Sequence, residues 1–246
     1  MNRLMCHVVA GYPDQKTCLE LMAGLRAAGA AAIEVQIPFS DPIADGETIM
    51  RANDVAIESG MTTAESFDLI EQARRHGLDA DLYVMSYLQK ILHFGLAEFC
   101  RRAEECGASG LIIPDLPYDS PEFTELQKLL ADRPLPLVPV LSPGMSRERL
   151  KALLTPRLSA VYVTSLRGIT GNQYAPTKQL KKLIDDIRHL SKAEIMVGFG
   201  IATPADVRDA SELGDMAVVG SAVIKALQTS GMDGALDLVQ SLADKR

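Results

Sequence analysis

Short runs of apolar and β-branched residues alternate along the chain with longer stretches whose apolar positions recur every three or four residues. The runs fall at 5–10, 32–37, 81–87, 110–115, 136–141, 160–165, 194–198 and 216–220. Most are continuous in apolar character, as expected of parallel strands buried on both faces. The stretches between them predict helices over 17–28, 63–75, 96–106, 121–131, 146–154, 177–190, 203–213 and 234–243. In the first of these, Leu19, Leu21, Met22 and Leu25 carry the stripe and Gly29 supplies a stop. Ser120-Pro121, Ser146 and Thr203-Pro204 offer caps or first-turn residues for later ones.

Strand–helix repetition of this kind makes a parallel sheet with helices packed outside it. Eight units in 246 residues match a closed barrel, which typically takes about 250 residues, better than an open doubly wound sheet. No linker, charge block or low-complexity segment divides the chain. The expectation is α/β, a single (β/α)8 TIM barrel over 1–246.

Composition narrows the function. Hydrophobic residues make up 47% of the chain, enough for a sizeable core. The net charge of −7 without a basic stripe argues against nucleic acid or an anionic membrane surface as partner. A phosphate-bearing substrate stays open, because backbone N–H groups can hold an anion. Cys6, Cys18, Cys100 and Cys106 form no CxxC pair, and His7 beside Cys6 has no further ligands nearby, so they read as reduced, mostly buried thiols. The start of the chain lacks the apolar core of a signal peptide, and no apolar run approaches the ~20 residues of a membrane span. A soluble, cytoplasmic protein is expected.

Candidate chemistry is concentrated after the second run. In a β/α barrel, reacting groups sit at strand C-terminal ends and in the loops that follow. Glu34 lies inside an otherwise apolar strand, where a carboxylate is costly unless paired, hydrogen-bonded or protonated. Desolvation favours the protonated form of a carboxyl, which suits a general acid near neutral pH; a glutamate satisfied by a neighbouring strand is the equal alternative. The next loop carries two prolines and Asp45-Gly46, stiff enough to return Asp45 toward the barrel mouth. Asp41 reads better as a turn or cap residue.

The segment IEVQIPFSDPIADG, residues 33–46, resembles the signature of the tryptophan synthase alpha chain family, commonly Leu-Glu-Leu-Gly-Ile-Pro-Phe-Ser-Asp-Pro-x-Ala-Asp-Gly. The likeness runs through all eight units, from AGYPD at 10–14 to VVGSAVIK at 218–225. It implies retro-aldol cleavage of indole-3-glycerol phosphate to indole and glyceraldehyde 3-phosphate, a lyase step of tryptophan biosynthesis. Glu34 would be the acid and base at the indole C3 and the glycerol hydroxyl. Asp45 would accept a hydrogen bond from the indole N–H and stabilise positive charge on nitrogen. No metal, cofactor or Schiff-base lysine is required. The partner implied is a pyridoxal-phosphate-dependent beta chain, facing the loops after strands two and six.

Phosphate is expected near the ends of strands seven and eight, at Phe199, Gly200, Gly220 and Ser221, where glycines let backbone N–H groups approach. The loop after strand six resembles the family's mobile lid; Thr170 and Gly171 match positions at the catalytic aspartate and the phosphate. Tyr87 and Tyr162 match aromatic positions around the substrate, with core packing an equal reading of either. Departures from the family are a chain that starts almost at the first strand, lacking most of the usual N-terminal helix, Gln36 for the usual glycine, Glu47 for a frequent proline, and Gln89-Lys90 for a common Asn-Pro. They bear on pocket shape, turnover and docking. The rivals are a catalytically weakened subunit serving mainly as partner, or another phosphate-binding barrel enzyme.

Overall fold

The computed structural model describes residues 3–155, 158–164 and 177–244. Its parallel strands are β1 (Leu4–Val9), β2 (Ala32–Gln36), β3 (Asp81–Met85), β4 (Gly110–Ile112), β5 (Leu137–Val138), β6 (Val140–Leu141), β7 (Ala160–Thr164), β8 (Glu194–Gly198) and β9 (Met216–Val219). They lie in the order β5-β4-β3-β2-β1-β9-β8-β7-β6. The two ends of that order belong to one run of sequence. β5 and β6 are halves of the strand expected at 136–141, parted at Pro139, which has no N–H to give a ladder. The first half pairs with β4 through Leu111↔Leu137, and the second with β7 through Val140↔Tyr162. The Pro139 carbonyl accepts from the Tyr162 N–H at 2.9 Å. The sheet therefore closes on itself, and the barrel expected from the repeats is the one found.

The helices are α1 (Gln15–Ala27), α2 (Glu47–Glu58), α3 (Thr63–Arg75), α4 (Leu88–Phe94), α5 (Leu96–Glu105), α6 (Pro121–Leu130), α7 (Arg147–Leu153), α8 (Lys178–Leu190), α9 (Pro204–Leu213) and α10 (Ser221–Ala243). Side-chain caps start many of them: Asp14, Thr62, Ser120, Ser146, Thr177 and Thr203 each accept from a backbone N–H in the first turn. Two helices depart from expectation. α2 has no counterpart among the helices expected from the pattern, because its inward positions, Ile49, Ala52, Asn53 and Ala56, include a polar residue and two small ones. α4 is short and starts where Asp115 accepts the Leu88 N–H at 2.8 Å. The helix expected at 234–243 is the second half of α10, which bends at Gly231, φ 70°.

Alternation along the strands sorts side chains into two apolar regions. Val8, Ile33, Val35, Val163 and Val197 face outward onto helix residues such as Leu25, Phe67, Phe99 and Ile184. Met5, Ala32, Tyr83, Met85, Ile112, Val138, Tyr162, Met196, Met216 and Val218 face inward and fill the barrel. Toward the C-terminal ends of β1 and β2 the inward positions change character: Met5 is followed by His7, and Ala32 by Glu34 and then Gln36. The polar layer of the barrel begins there.

Candidate active site

Parallel pairing places His7 directly opposite Glu34. The imidazole Nδ1 lies 2.7 Å from Glu34 Oε2, and both residues are buried, 4% and 5% exposed. Glu34 is thus paired across neighbouring strands, one of the two alternatives its position left open. Burial by itself would lower the histidine's pKa. The hydrogen bond and charge of Glu34, with lesser contributions from Asp45 and Gln36, outweigh burial and hold it above its ordinary value.

Asp45 reaches the same place from the loop after β2. Its N–H donates to the Pro42 carbonyl at 2.9 Å, a tight turn, and Gly46 then opens α2. Farther along the loop's span, Asn53 of α2 accepts the Phe39 N–H at 2.9 Å, and the Tyr87 hydroxyl accepts the Ala44 N–H at 3.1 Å. Two donors converge on Asp45 Oδ2, the Gln36 amide at 2.8 Å and the Tyr87 hydroxyl at 3.0 Å. Burial pushes the Asp45 pKa up; the charge of His7 and these two hydrogen bonds pull it back only in part. Burial beside Asp45 also pushes the Tyr87 phenol far above its ordinary value, so it serves as a donor at any physiological pH.

These groups open together on one partly enclosed cavity at the C-terminal ends of the strands. Glu34, Asp45 and His7 lie on one side; Ile49, Met85, Ile112, Val140, Tyr162 and Val218 give apolar walls. Phe199, Gly200, Gly220 and Ser221 complete the lining. Phe199 and Gly200 both adopt left-handed backbone, φ 76° and 83°. Gly220 begins α10 without a side-chain cap, so the first N–H groups of that helix are left for a ligand or solvent. Tyr162 stands edge-on to Phe199 at 6.1 Å between ring centres.

Seven of the expected site residues thus meet around the cavity or at its rim: Glu34, Asp45, Tyr162, Phe199, Gly200, Gly220 and Ser221. Tyr87, for which core packing was the equal reading, is not among the residues lining the cavity. It is fully buried behind Asp45 and stacks on Phe39 at 5.3 Å, so it positions the aspartate and does not form the wall. Thr170 and Gly171 lie outside the described residues. Sequence reasoning passed over His7 and Gln36. The signal for His7 was its inward phase two residues after Met5, which becomes informative once β1 is registered against β2. Gln36, noted only as replacing a glycine, lies across the base of the loop and joins Asp45 to Asn53.

Fold and site together define a β/α-barrel enzyme built for proton transfer, with two buried carboxylates at the strand C-terminal ends and an apolar, aromatic-walled pocket. The family model for "Tryptophan synthase alpha chain" matches residues 1–245. The tryptophan synthase alpha chain of Chloroflexus aggregans is 37% identical over 225 residues, 92% of this chain and 84% of that one. That of Aquifex aeolicus is 32% identical over 242 residues, 98% and 92%. In the Saccharomyces cerevisiae protein named tryptophan synthase, 35% identical over 224 residues, the match spans 91% of this chain and 31% of that longer one. Among solved structures, Mycobacterium tuberculosis tryptophan synthase superposes with a TM-score of 0.87 at 29% identity, covering 98% and 91% of the two chains. The tryptophan synthase complex of Pyrococcus furiosus gives 0.84 at 29%, covering 98% and 97%. This chain belongs to the tryptophan synthase alpha chain family, and its reaction is the cleavage of indole-3-glycerol phosphate to indole in tryptophan biosynthesis.

Proposed function

We propose that Glu34 and Asp45 carry this lyase reaction, Glu34 by moving protons and Asp45 by stabilising charge on the indole nitrogen. The observation behind the reading is that two carboxylates from different segments, a strand and the loop after it, are buried against one apolar cavity. Indole leaves as a carbon fragment only once its C3 is protonated. Glu34 delivers that proton, and the ring nitrogen becomes cationic. Asp45 faces it: both its protein donors fall on Oδ2, which leaves Oδ1 for the indole N–H. The carbon–carbon bond then breaks as Glu34 accepts the glycerol hydroxyl proton, and the electron pair returns to the ring. A charge fixed in a site of low polarity stabilises such a cation without reorganising at the moment of reaction.

The phosphate is proposed to rest against Gly200, Gly220 and Ser221, at the N-terminus of α10, where backbone N–H groups and the helix dipole favour an anion. Tyr162 and Phe199 would border the indole and glycerol portions. Among the described residues no helix is long and apolar enough to cross a membrane, and we place the chain in the cytoplasm with its pathway.

A pyridoxal-phosphate-dependent beta chain is the proposed partner. Two of the structural neighbours are named for whole tryptophan synthase or its complex, and in the yeast protein the matching region is one part of a longer polypeptide. The surface fits. Of the exposed large apolar side chains, Ile43, Met50, Val55 and Ile57 fall within the catalytic loop and α2, and Ile43 is 73% exposed. Met50 and Ile57, seven residues apart, share one face of α2, and exposed apolar side chains beside the site are what a docking partner would cover.

The test is indole release from indole-3-glycerol phosphate by the wild-type chain and by Glu34→Gln, each with and without a beta chain. Glu34→Gln keeps the shape and removes the titratable group, so turnover should fall by about 10²–10⁴-fold, the usual cost of losing a general acid–base group. Wild-type turnover by that variant would remove Glu34 from the mechanism.

A further inference from the structure

We propose that His7 and Glu34 act as one acid–base couple in the cleavage, His7 storing the proton that Glu34 delivers to the indole ring and recovers from the glycerol hydroxyl. The proposal deepens the reading above and rests on it.

The geometry is that of a proton-transfer pair. Nδ1 and Oε2 are 2.7 Å apart on facing strands, and burial excludes bulk water from the bond. The other end of the imidazole is as telling. His7 Nε2 is buried with no hydrogen-bond partner, and so is Gln36 Oε1, on the same inward face two residues beyond Glu34. Gln36 in turn donates its amide to Asp45. Glu34, His7, Gln36 and Asp45 thus follow one another along the polar layer, with a single unmade link between a nitrogen and an amide oxygen. Buried orphan atoms cost stability, and an apolar residue at position 7, like Met5 before it, would fill the barrel without them. A layer built only for packing has no use for this histidine. The three other histidines, His76, His93 and His189, are all exposed.

The groups that bear on the His7 charge come from several elements: Glu34 and Gln36 on β2 and Asp45 on the loop after it. Tyr162 on β7 feels the same two carboxylates. Protons balance without a co-reactant. In the first step the couple loses one proton, from Glu34 to indole C3, as a proton crosses from Nδ1 to Oε2. In the second, the bond between C3 and the hydroxyl-bearing carbon breaks, the aldehyde forms, and the hydroxyl proton returns to Glu34 and back to Nδ1. The couple ends as it began.

Because His7 is held above its ordinary value of 6.5, the proton needed for the first step is present at neutral pH. It is lost as pH rises through the raised value. Imidazole NMR titration of the wild-type chain should show the His7 signal titrating above 6.5. In Glu34→Gln, burial remains and the carboxylate is gone, so His7 should titrate lower than in the wild-type chain. His7→Asn should lower kcat/KM at neutral pH by about 10²-fold and abolish or displace the alkaline limb of its pH profile. A merely structural role would lower the profile without moving the limb. His7→Gln serves as second variant if His7→Asn does not fold, and the wild-type titration needs no variant. A His7 titration indifferent to Glu34→Gln, or an alkaline limb unmoved when His7 is replaced, overturns the couple. Failure of the wild-type chain to release indole would instead overturn the reading of the reaction, while the titration still decides whether His7 and Glu34 share a proton.

Discussion

Replacing Tyr87 with phenylalanine isolates the polar support of Asp45. The ring is fully buried and stacks on Phe39 at 5.3 Å; phenylalanine keeps that volume, so no cavity forms. What is lost is one oxygen, which donates to Asp45 Oδ2 at 3.0 Å and accepts from the Ala44 N–H at 3.1 Å. A hydrogen bond to a charged group contributes about 1.5–3 kcal/mol and a neutral one about 0.5–1.5 kcal/mol. Their sum is an upper bound, because Ala44 borders the open cavity and water can take over its N–H. With that bond replaced, Tyr87→Phe should lower the unfolding free energy at pH 7 by about 1.5–3 kcal/mol. The hydroxyl also holds the Asp45 pKa down against burial, so its removal raises that pKa further and moves the acid limb of kcat/KM to higher pH. If the charged bond is felt fully in the transition state, the rate falls by about 10–10²-fold, one decade per 1.4 kcal/mol. Urea denaturation and a pH–rate profile measure both effects. Stability within about 0.5 kcal/mol of wild type, the ordinary range of a surface substitution, together with an unmoved acid limb, would refute the positioning role.

Asp45→Asn should lower kcat far more than it changes KM, because the charge is needed when the indole nitrogen turns cationic. Stability should move the other way. The folded Asp45 pKa lies above its unfolded value of 3.8, so the ionised form costs stability as pH rises through that window; Asp45→Asn should be at least as stable as wild type at pH 7, by denaturation. An added Cβ at Gly220 would meet His7 Cβ at 3.6 Å and Ile49 Cδ1 at 3.7 Å, ordinary contacts. Gly220→Ala should thus fold normally, while Gly220→Val intrudes on the pocket and raises KM about tenfold or more, the cost of about 1.4 kcal/mol of binding; glycerol phosphate should compete with substrate in the wild-type chain, and no competition would remove phosphate from this position. Ile43→Asp should weaken activation by a beta chain while leaving the basal rate of indole release unchanged.

Much of this was legible before the coordinates. Continuous apolar runs and capped amphipathic stretches predict the strands and most of the helices, and the segment around Glu34 and Asp45 points to the C-terminal mouth of the barrel, where both border one cavity. What stayed hidden depends on register. That His7 faces Glu34 follows from pairing β1 with β2 residue by residue, which periodicity within either strand cannot provide. α2 escaped because Asn53 occupies an inward position for the sake of the loop, donating to the Ile49 carbonyl and accepting from Phe39. For Tyr87 the sequence leaves substrate wall and core packing equal, because an aromatic at a strand end is as good a wall as a prop. Only the hydroxyl geometry distinguishes them.

The loop that bears Asp45 has two duties, and the structure separates them. Its inner side is fixed within the chain: Phe39 to Asn53, Ala44 to Tyr87, and Asp45 to Gln36, Tyr87 and Pro42. A segment held by so many short bonds, several of them buried, does not need a partner to bring its aspartate into place. Its outer side presents Ile43, which is exposed to solvent. Docking at Ile43 would accordingly change the rate by closing or drying the mouth above a preformed carboxylate, strengthening the charge of Asp45 as water is excluded. Ordering of the aspartate is not the step a partner is needed for. On the proposed roles of Glu34, His7 and Asp45, basal turnover would be an intrinsic property of the isolated barrel, and the proposed partner would multiply it.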